Sequence, residues 1–187
     1  MNTKTKKLST VSMVLCGMFA ALVAIGAFIQ IPVPYMDYFT LQFFFVLLAG
    51  LILGADKGAI SVGCYVLLGL VGVPIFAAGG GIGYIFRPSF GYLVGFIVSA
   101  YVTGKVCEKL KASYKNYLLA CLAGFVVTYA IGIVYKFIIL NFYAHTPATL
   151  GVIFLSCFPL DMPGDFVLCL LAASVGLRMR KSGFYLS

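Results

Sequence analysis

Charge is what this sequence has least of. Only 10% of its 187 residues are Asp, Glu, Lys or Arg, against about a quarter in a typical soluble domain. So few charges cannot keep the surface of a globule wetted, which excludes a soluble domain. The solvent is lipid. Hydrophobic residues make up 63% and the mean hydropathy is +1.09. At roughly 20 apolar residues per crossing, with loops between, a chain of this length holds about six helices. No length is left for a soluble catalytic head.

Other absences narrow the class. There is one histidine, and no HExxH, GxSxG or Ser/His/Asp pattern occurs, so an enzyme is not expected. The cysteines, Cys16, Cys64, Cys107, Cys121, Cys157 and Cys169, form no CxxC and no metal spacing. They read as small, soft packing residues rather than disulfides or metal ligands. The glycine run Gly79-Gly80-Gly81-Ile82-Gly83 lacks the strand and the Lys-Ser/Thr of a phosphate loop. Any ATP dependence must then come from a partner, and no cofactor is implied. The 13 Lys and Arg exceed the five Asp and Glu, yet they form no basic patch with interleaved aromatics. Nucleic acid is therefore not expected. The first apolar segment has no convincing cleavage site and reads as a membrane helix rather than a removed leader.

What is present is a regular punctuation of apolar runs by charge. Uncharged stretches cover residues 8–36, 38–55, 58–86, 88–104 and 116–135. The last run, 166–177, is too short alone, so a sixth helix must begin upstream and carry Asp165 into the outer part of the membrane. The expectation is a single membrane domain over 1–187 with helices near 9–30, 41–56, 58–73, 89–105, 116–141 and 160–180. Positive charge collects on the cytoplasmic side of membrane proteins. Alternating crossings put Lys4, Lys6, Lys7, Lys57, Lys105, Lys109, Lys111, Lys115, Arg178, Arg180 and Lys181 on one face. The fold class is thus an all-α integral membrane protein with six transmembrane helices and both termini cytoplasmic. Only Arg87 and Lys136 fall elsewhere.

The outer connections, roughly 30–40, 73–89 and 141–164, are rich in proline and glycine. Irregular chain near membrane depth is tolerated where it is buried in protein or lines a cavity. Two prolines in FPLDMPGDF argue against a continuous helix there. Lys136 reads either as a lysine snorkelling to the interface or as a cation facing an interior anion. Arg87 reads as a headgroup contact or as part of a pocket. Asp161 is expected to be a solvated loop acid. Asp165 is an N-cap or an acceptor for paired ligand N–H groups. Thr40 is expected to cap helix two, and Gln42 to line a cavity. Tyr35, Tyr84 and Tyr92 are belt aromatics or walls of a pocket for a small, partly apolar ligand. His145 is read as structural. On helix one, Met13, Gly17, Ala20, Ala24 and Ala27 make a narrow stripe of mostly small residues, suited to close helix approach within the bundle or against another subunit.

IPVPYMDYFTLQFFFVLLAGLILG at 31–54, GVPIFAAGGGIGYIFRPSFGYLVGF at 72–96 and PGDF at 163–166 resemble the BioY family. That family comprises the biotin-specific substrate-capture (S) components of energy-coupling factor (ECF) transporters. The resemblance implies a bacterial plasma-membrane protein with a biotin pocket near the outer face. It also implies an energising module of one transmembrane (T) component and two ATPase subunits. Asp165, Arg87, Lys136, Gln42, Tyr84, Gly79 and Gly80 are then the candidate substrate contacts. Ala20 and Ala24 become the docking surface for the transmembrane partner. One departure stands out: where related sequences often carry lysine three residues after PGD, this chain has Leu168. The role of that basic group is then absent or met by Arg87 or Lys136. The alternatives are an S component for thiamin or riboflavin, or a standalone secondary carrier.

Overall fold

Apolar chain in lipid becomes helical because only the helix satisfies each backbone polar group from within the segment. A computed structural model of the protein describes residues 9–32, 38–144, 146, 148–157 and 161–183. Lys4, Lys6, Lys7, Tyr35 and His145 lie outside the described residues. The first helix, α1 (Thr10–Phe28), starts where the Ser9 side chain accepts a hydrogen bond from the Ser12 amide at 3.2 Å. Next come β1 (Gln30–Pro32) and β2 (Tyr38–Thr40), an antiparallel ribbon with Gln30 opposite Thr40. Then follow α2 (Gln42–Leu53), α3 (Ala55–Val71), a 3₁₀ turn (Ile82–Phe86) and α4 (Phe90–Lys109). The chain continues through α5 (Tyr114–Ile138), which runs on into a π turn (Ile139–Tyr143), then α6 (Leu150–Cys157) and α7 (Asp161–Lys181).

Among the described residues, four helices are long and apolar enough to cross a membrane: α1, α4, α5 with its π turn, and α7. The apolar α2 has 12 residues and α3 has 17. Among the described residues the regular structure is helical apart from the six-residue ribbon and an isolated bridge between Phe76 and Gly79. The charge-poor exterior displays large apolar side chains such as Val11, Leu67, Val126 and Leu171.

Three local features depart from the sequence reading. Lys57 and Asp56 do not separate two helices, because α2 and α3 are divided by Gly54 alone, whose φ of +83° favours glycine. The Ala55 amide at the start of α3 donates to Glu108 Oε1 of α4 at 2.8 Å. Pro163 does not interrupt α7, because it sits in the first turn, where a helix does not need its N–H. A short helix, α6, also occupies part of the stretch expected to be irregular.

Among the described residues the most extensive helix pairing is α4 with α5, antiparallel and lined by small residues. Gly91 lies under the Tyr135 side chain, and Gly132 under the Tyr92 ring. Gly95 meets the Thr128 backbone, where a Cβ would stand 3.0 Å from the carbonyl oxygen. Small residues permit this approach, and the aromatic rings fill the space they leave. The stripe on α1 is divided: Ala20 and Ala27 are buried, Ala24 is half-buried, and Met13 and Gly17 are exposed.

Candidate functional site

A cavity opens at the end of the bundle that carries the ribbon, the 3₁₀ turn and the start of α7. Its walls are Phe39, Phe43, Tyr84, Tyr92, Leu93, Phe96 and Tyr129, with the methyl groups of Ala77 and Ala78. Its polar lining is Thr40, Gln42, Ser89, Lys136, Asp161 and Asp165. Mostly aromatic walls with a few converging polar groups are the usual form of a small-molecule site.

Asp165 enters the cavity because α7 begins early. With Pro163 in the first turn, Asp161 and Asp165 stand four residues apart on one helix face. Asp161 is therefore part of the cavity lining and not a solvated loop acid, while Asp165 lies inside the helix and caps nothing. Asp165 Oδ2 accepts a hydrogen bond from Tyr129 Oη at 2.8 Å, which ties α7 to α5. The Tyr129 ring in turn packs on Phe125, with centroids 4.7 Å apart, and edge-on to Tyr92 at 5.8 Å.

Lys136 lies on α5 seven residues beyond Tyr129, two turns along the same face, or about 10 Å at 1.5 Å per residue. Both residues line the cavity. The cavity lining thus combines two acids in the first turns of α7 with a cation in the last turn of α5. The helix termini favour each: an acid near the start of α7 and a base near the end of α5.

Gln42 opens α2 at the cavity floor. Its Nε2 donates to Tyr65 Oη at 2.6 Å, Tyr65 Oη donates to the Ile75 carbonyl at 3.1 Å, and Thr40 Oγ1 donates to Gln42 Oε1 at 3.3 Å. Thr40 therefore bonds a side chain instead of capping α2, which has no side-chain cap. Tyr92 Oη lies 3.1 Å from Cys157 Sγ, fastening the end of α6 to α4. All six cysteines are free, and five are buried.

Arg87, Gly79 and Gly80 are not brought to the cavity wall. Arg87 is exposed, with its guanidinium carbon 5.3 Å from the centre of the Tyr84 ring. Gly79 has φ +108° and pairs with Phe76 in a tight hairpin. A Cβ on Gly80 would collide with the Val73 carbonyl. These glycines shape the turn that delivers Ala77 and Ala78 to the cavity. Leu168, where a lysine was looked for, is buried in the core.

Sequence reasoning missed Tyr129, Phe39, Phe43, Phe96 and Tyr65. The spacing of Tyr129 from Lys136 was the one available signal, since seven residues return to the same helix face.

The model of the BioY family matches residues 1–183. A probable biotin transporter BioY of Lysinibacillus sphaericus is 40% identical over 177 residues, 94% of this chain and 90% of that one. The biotin transporter BioY of Thermotoga maritima is 39% identical over 169 residues, 88% of this chain and 93% of its own length. A solved structure described as the S-component for biotin from an ECF-type ABC transporter aligns with a TM-score of 0.83 at 25% identity. That alignment covers 99% of this chain and 97% of the other.

Proposed function

The chain belongs to the BioY family, and from that premise we infer that it captures biotin and passes it inward as the substrate-binding subunit of an ECF transporter. It is a transport subunit and not an enzyme. ATP hydrolysis falls to two partner ATPases, coupled through a transmembrane partner. In this reading α1, α2, α3, α4, α5 and α7 cross the bacterial plasma membrane with both termini inside. Twelve residues of α2 give about 18 Å of helix, so α2 crosses with help from the ribbon before it. The orientation is supported by Lys105, Lys109, Lys111 and Lys115 around the α4–α5 turn and by Arg178, Arg180 and Lys181 at the end of α7.

One observation carries the ligand reading: a single aromatic cavity is lined by an acidic acceptor, Asp165, and by a cation, Lys136, which stands about two helical turns along α5 from the Tyr129 that holds Asp165. Biotin has matching chemistry, with ureido N–H groups at one end, an apolar ring system and chain between, and a carboxylate at the other end. Asp165 receives the ureido N–H groups, the aromatic walls take the rings and chain, and Lys136 faces the carboxylate. Arg87, over the outer side of Tyr84, stands at the mouth.

Lys136→Met tests the assignment. A carboxylate left without its cation in a low-dielectric site costs several kcal/mol before relaxation. Biotin binding is expected to weaken about tenfold or more, where tenfold is roughly 1.4 kcal/mol. A neutral biotin amide should lose far less. Isothermal titration of both ligands against both proteins decides it, and equal losses for acid and amide would remove Lys136 from the carboxylate role.

A further inference from the structure

Tyr65 is fully buried on α3 and does not line the cavity, yet it is bonded to a residue that does. Its hydroxyl has one proton and two lone pairs. The Ile75 carbonyl, 3.1 Å away, can only accept, so the tyrosine proton goes there. What Tyr65 turns toward Gln42 is therefore a lone pair. The end of the Gln42 amide lying 2.6 Å from it must be the NH₂ group and not the oxygen. Thr40 is compatible with that orientation: its hydroxyl, which can donate or accept, donates to Gln42 Oε1 at 3.3 Å. An amide free at both ends could present either face; this one is fixed.

We propose that Tyr65 is a positioning residue that locks Gln42 as a hydrogen-bond donor toward the ligand, and so sets the site's preference for a cyclic urea. The proposal rests on the biotin reading above. An amide nitrogen has two protons. One goes to Tyr65, and the other is available to the cavity that Gln42 lines. Asp165 supplies an acceptor for the ureido N–H groups, and Gln42 supplies the donor for the ureido carbonyl. The site then discriminates by hydrogen-bond polarity. A ligand that replaces the carbonyl oxygen with a donor sets N–H against N–H, and a buried polar group left unpaired in this way is strongly penalised. The anchor has a second consequence, because Ile75 belongs to the turn that carries Ala77 and Ala78. The same hydroxyl aligns both the floor and one wall.

Tyr65→Phe removes the lone pair and frees the Gln42 amide to turn over. The probes are biotin and 2-iminobiotin, the cyclic guanidine in which a nitrogen donor replaces the urea oxygen. Full-length wild-type and variant protein in detergent are titrated with both at one pH. The ratio of Kd for iminobiotin to Kd for biotin is expected to fall at least fivefold in Tyr65→Phe. Where that variant yields no folded protein, Gln42→Leu tests the donor that the proposal requires: its removal must lower the same ratio, and an unchanged ratio there overturns the proposal. Wild-type protein that binds biotin, with a ratio unchanged within twofold in the variant, overturns the positioning role alone. Wild-type protein that binds no biotin overturns the ligand reading and this proposal together.

Discussion

Asp165 commits one carboxylate oxygen to Tyr129, so the direction of the other is set by a residue on a different helix. Tyr129→Phe removes that donor and leaves the carboxylate free to rotate. A hydrogen bond to a charged group contributes about 1.5–3 kcal/mol, so biotin affinity should fall by about tenfold to a hundredfold. Because the change lies at the ureido end, biotin and its neutral amide should weaken equally, in contrast to Lys136→Met. Titration of both ligands checks it, and unaltered affinity would sink the positioning of Asp165. Three polar residues that line the cavity were singled out in the sequence for a physical reason, whereas Asp161 read as a solvated acid and Ser89 gave no signal. A charge or amide within an apolar run is costly in lipid, so Asp165, Lys136 and Gln42 each demanded a partner or a cavity. Tyr129, Phe43 and Phe96 carried no such signal, because an aromatic residue on a membrane helix suits lipid and cavity alike. Gly79 and Gly80 misled because glycine serves backbone geometry and ligand approach equally well.

At the scale of elements, the α4–α5 pair fixes the cavity's back wall. Tyr92 lines the cavity from α4, and its ring rests on Gly132 of α5. Gly132→Leu must push that ring aside; overpacking of this kind costs about 1–3 kcal/mol. The expected outcome is a lower melting temperature together with weaker biotin binding. Gly63→Leu, where a Cβ has nothing within 4 Å, should melt like the wild type. Equal melting temperatures for all three proteins would mean that the interlock contributes nothing. Charge spacing made the long helices legible, since each apolar run must be helical in lipid. It could not reveal α6, whose eight residues are too few to cross, nor the continuity of α7 through Pro163. There the outcome turned on which helical turn the proline occupied, a matter of one or two residues.

At the scale of the whole molecule, the small-residue stripe of α1 and the cavity are separate surfaces. The cavity occupies one end of the bundle, whereas Ala24 lies on α1, half-buried beside the exposed Gly17 and Ala21. Ala20 packs into the core and contributes little to an outward face. Ala24→Leu should lower biotin uptake in cells at least fivefold while the isolated protein binds biotin as before. Uptake assays paired with titration separate the two, and parallel loss would show that Ala24 serves packing within the bundle.

The turn that carries Ala77 and Ala78 is fastened to α3 rather than suspended over the cavity. The Val73 amide donates to the Leu68 carbonyl at 3.2 Å, the Gly81 amide donates to the Gly69 carbonyl at 2.7 Å, and the Phe76 ring lies over Gly69. Two methyl groups on a braced turn therefore set how far the opening reaches on that side. The helices act as a frame, and the bore is cut by an insert. A larger side chain at Ala77 or Ala78 would therefore shorten the opening from the tip of the turn, while the bonds that brace the turn to α3 stay as they are.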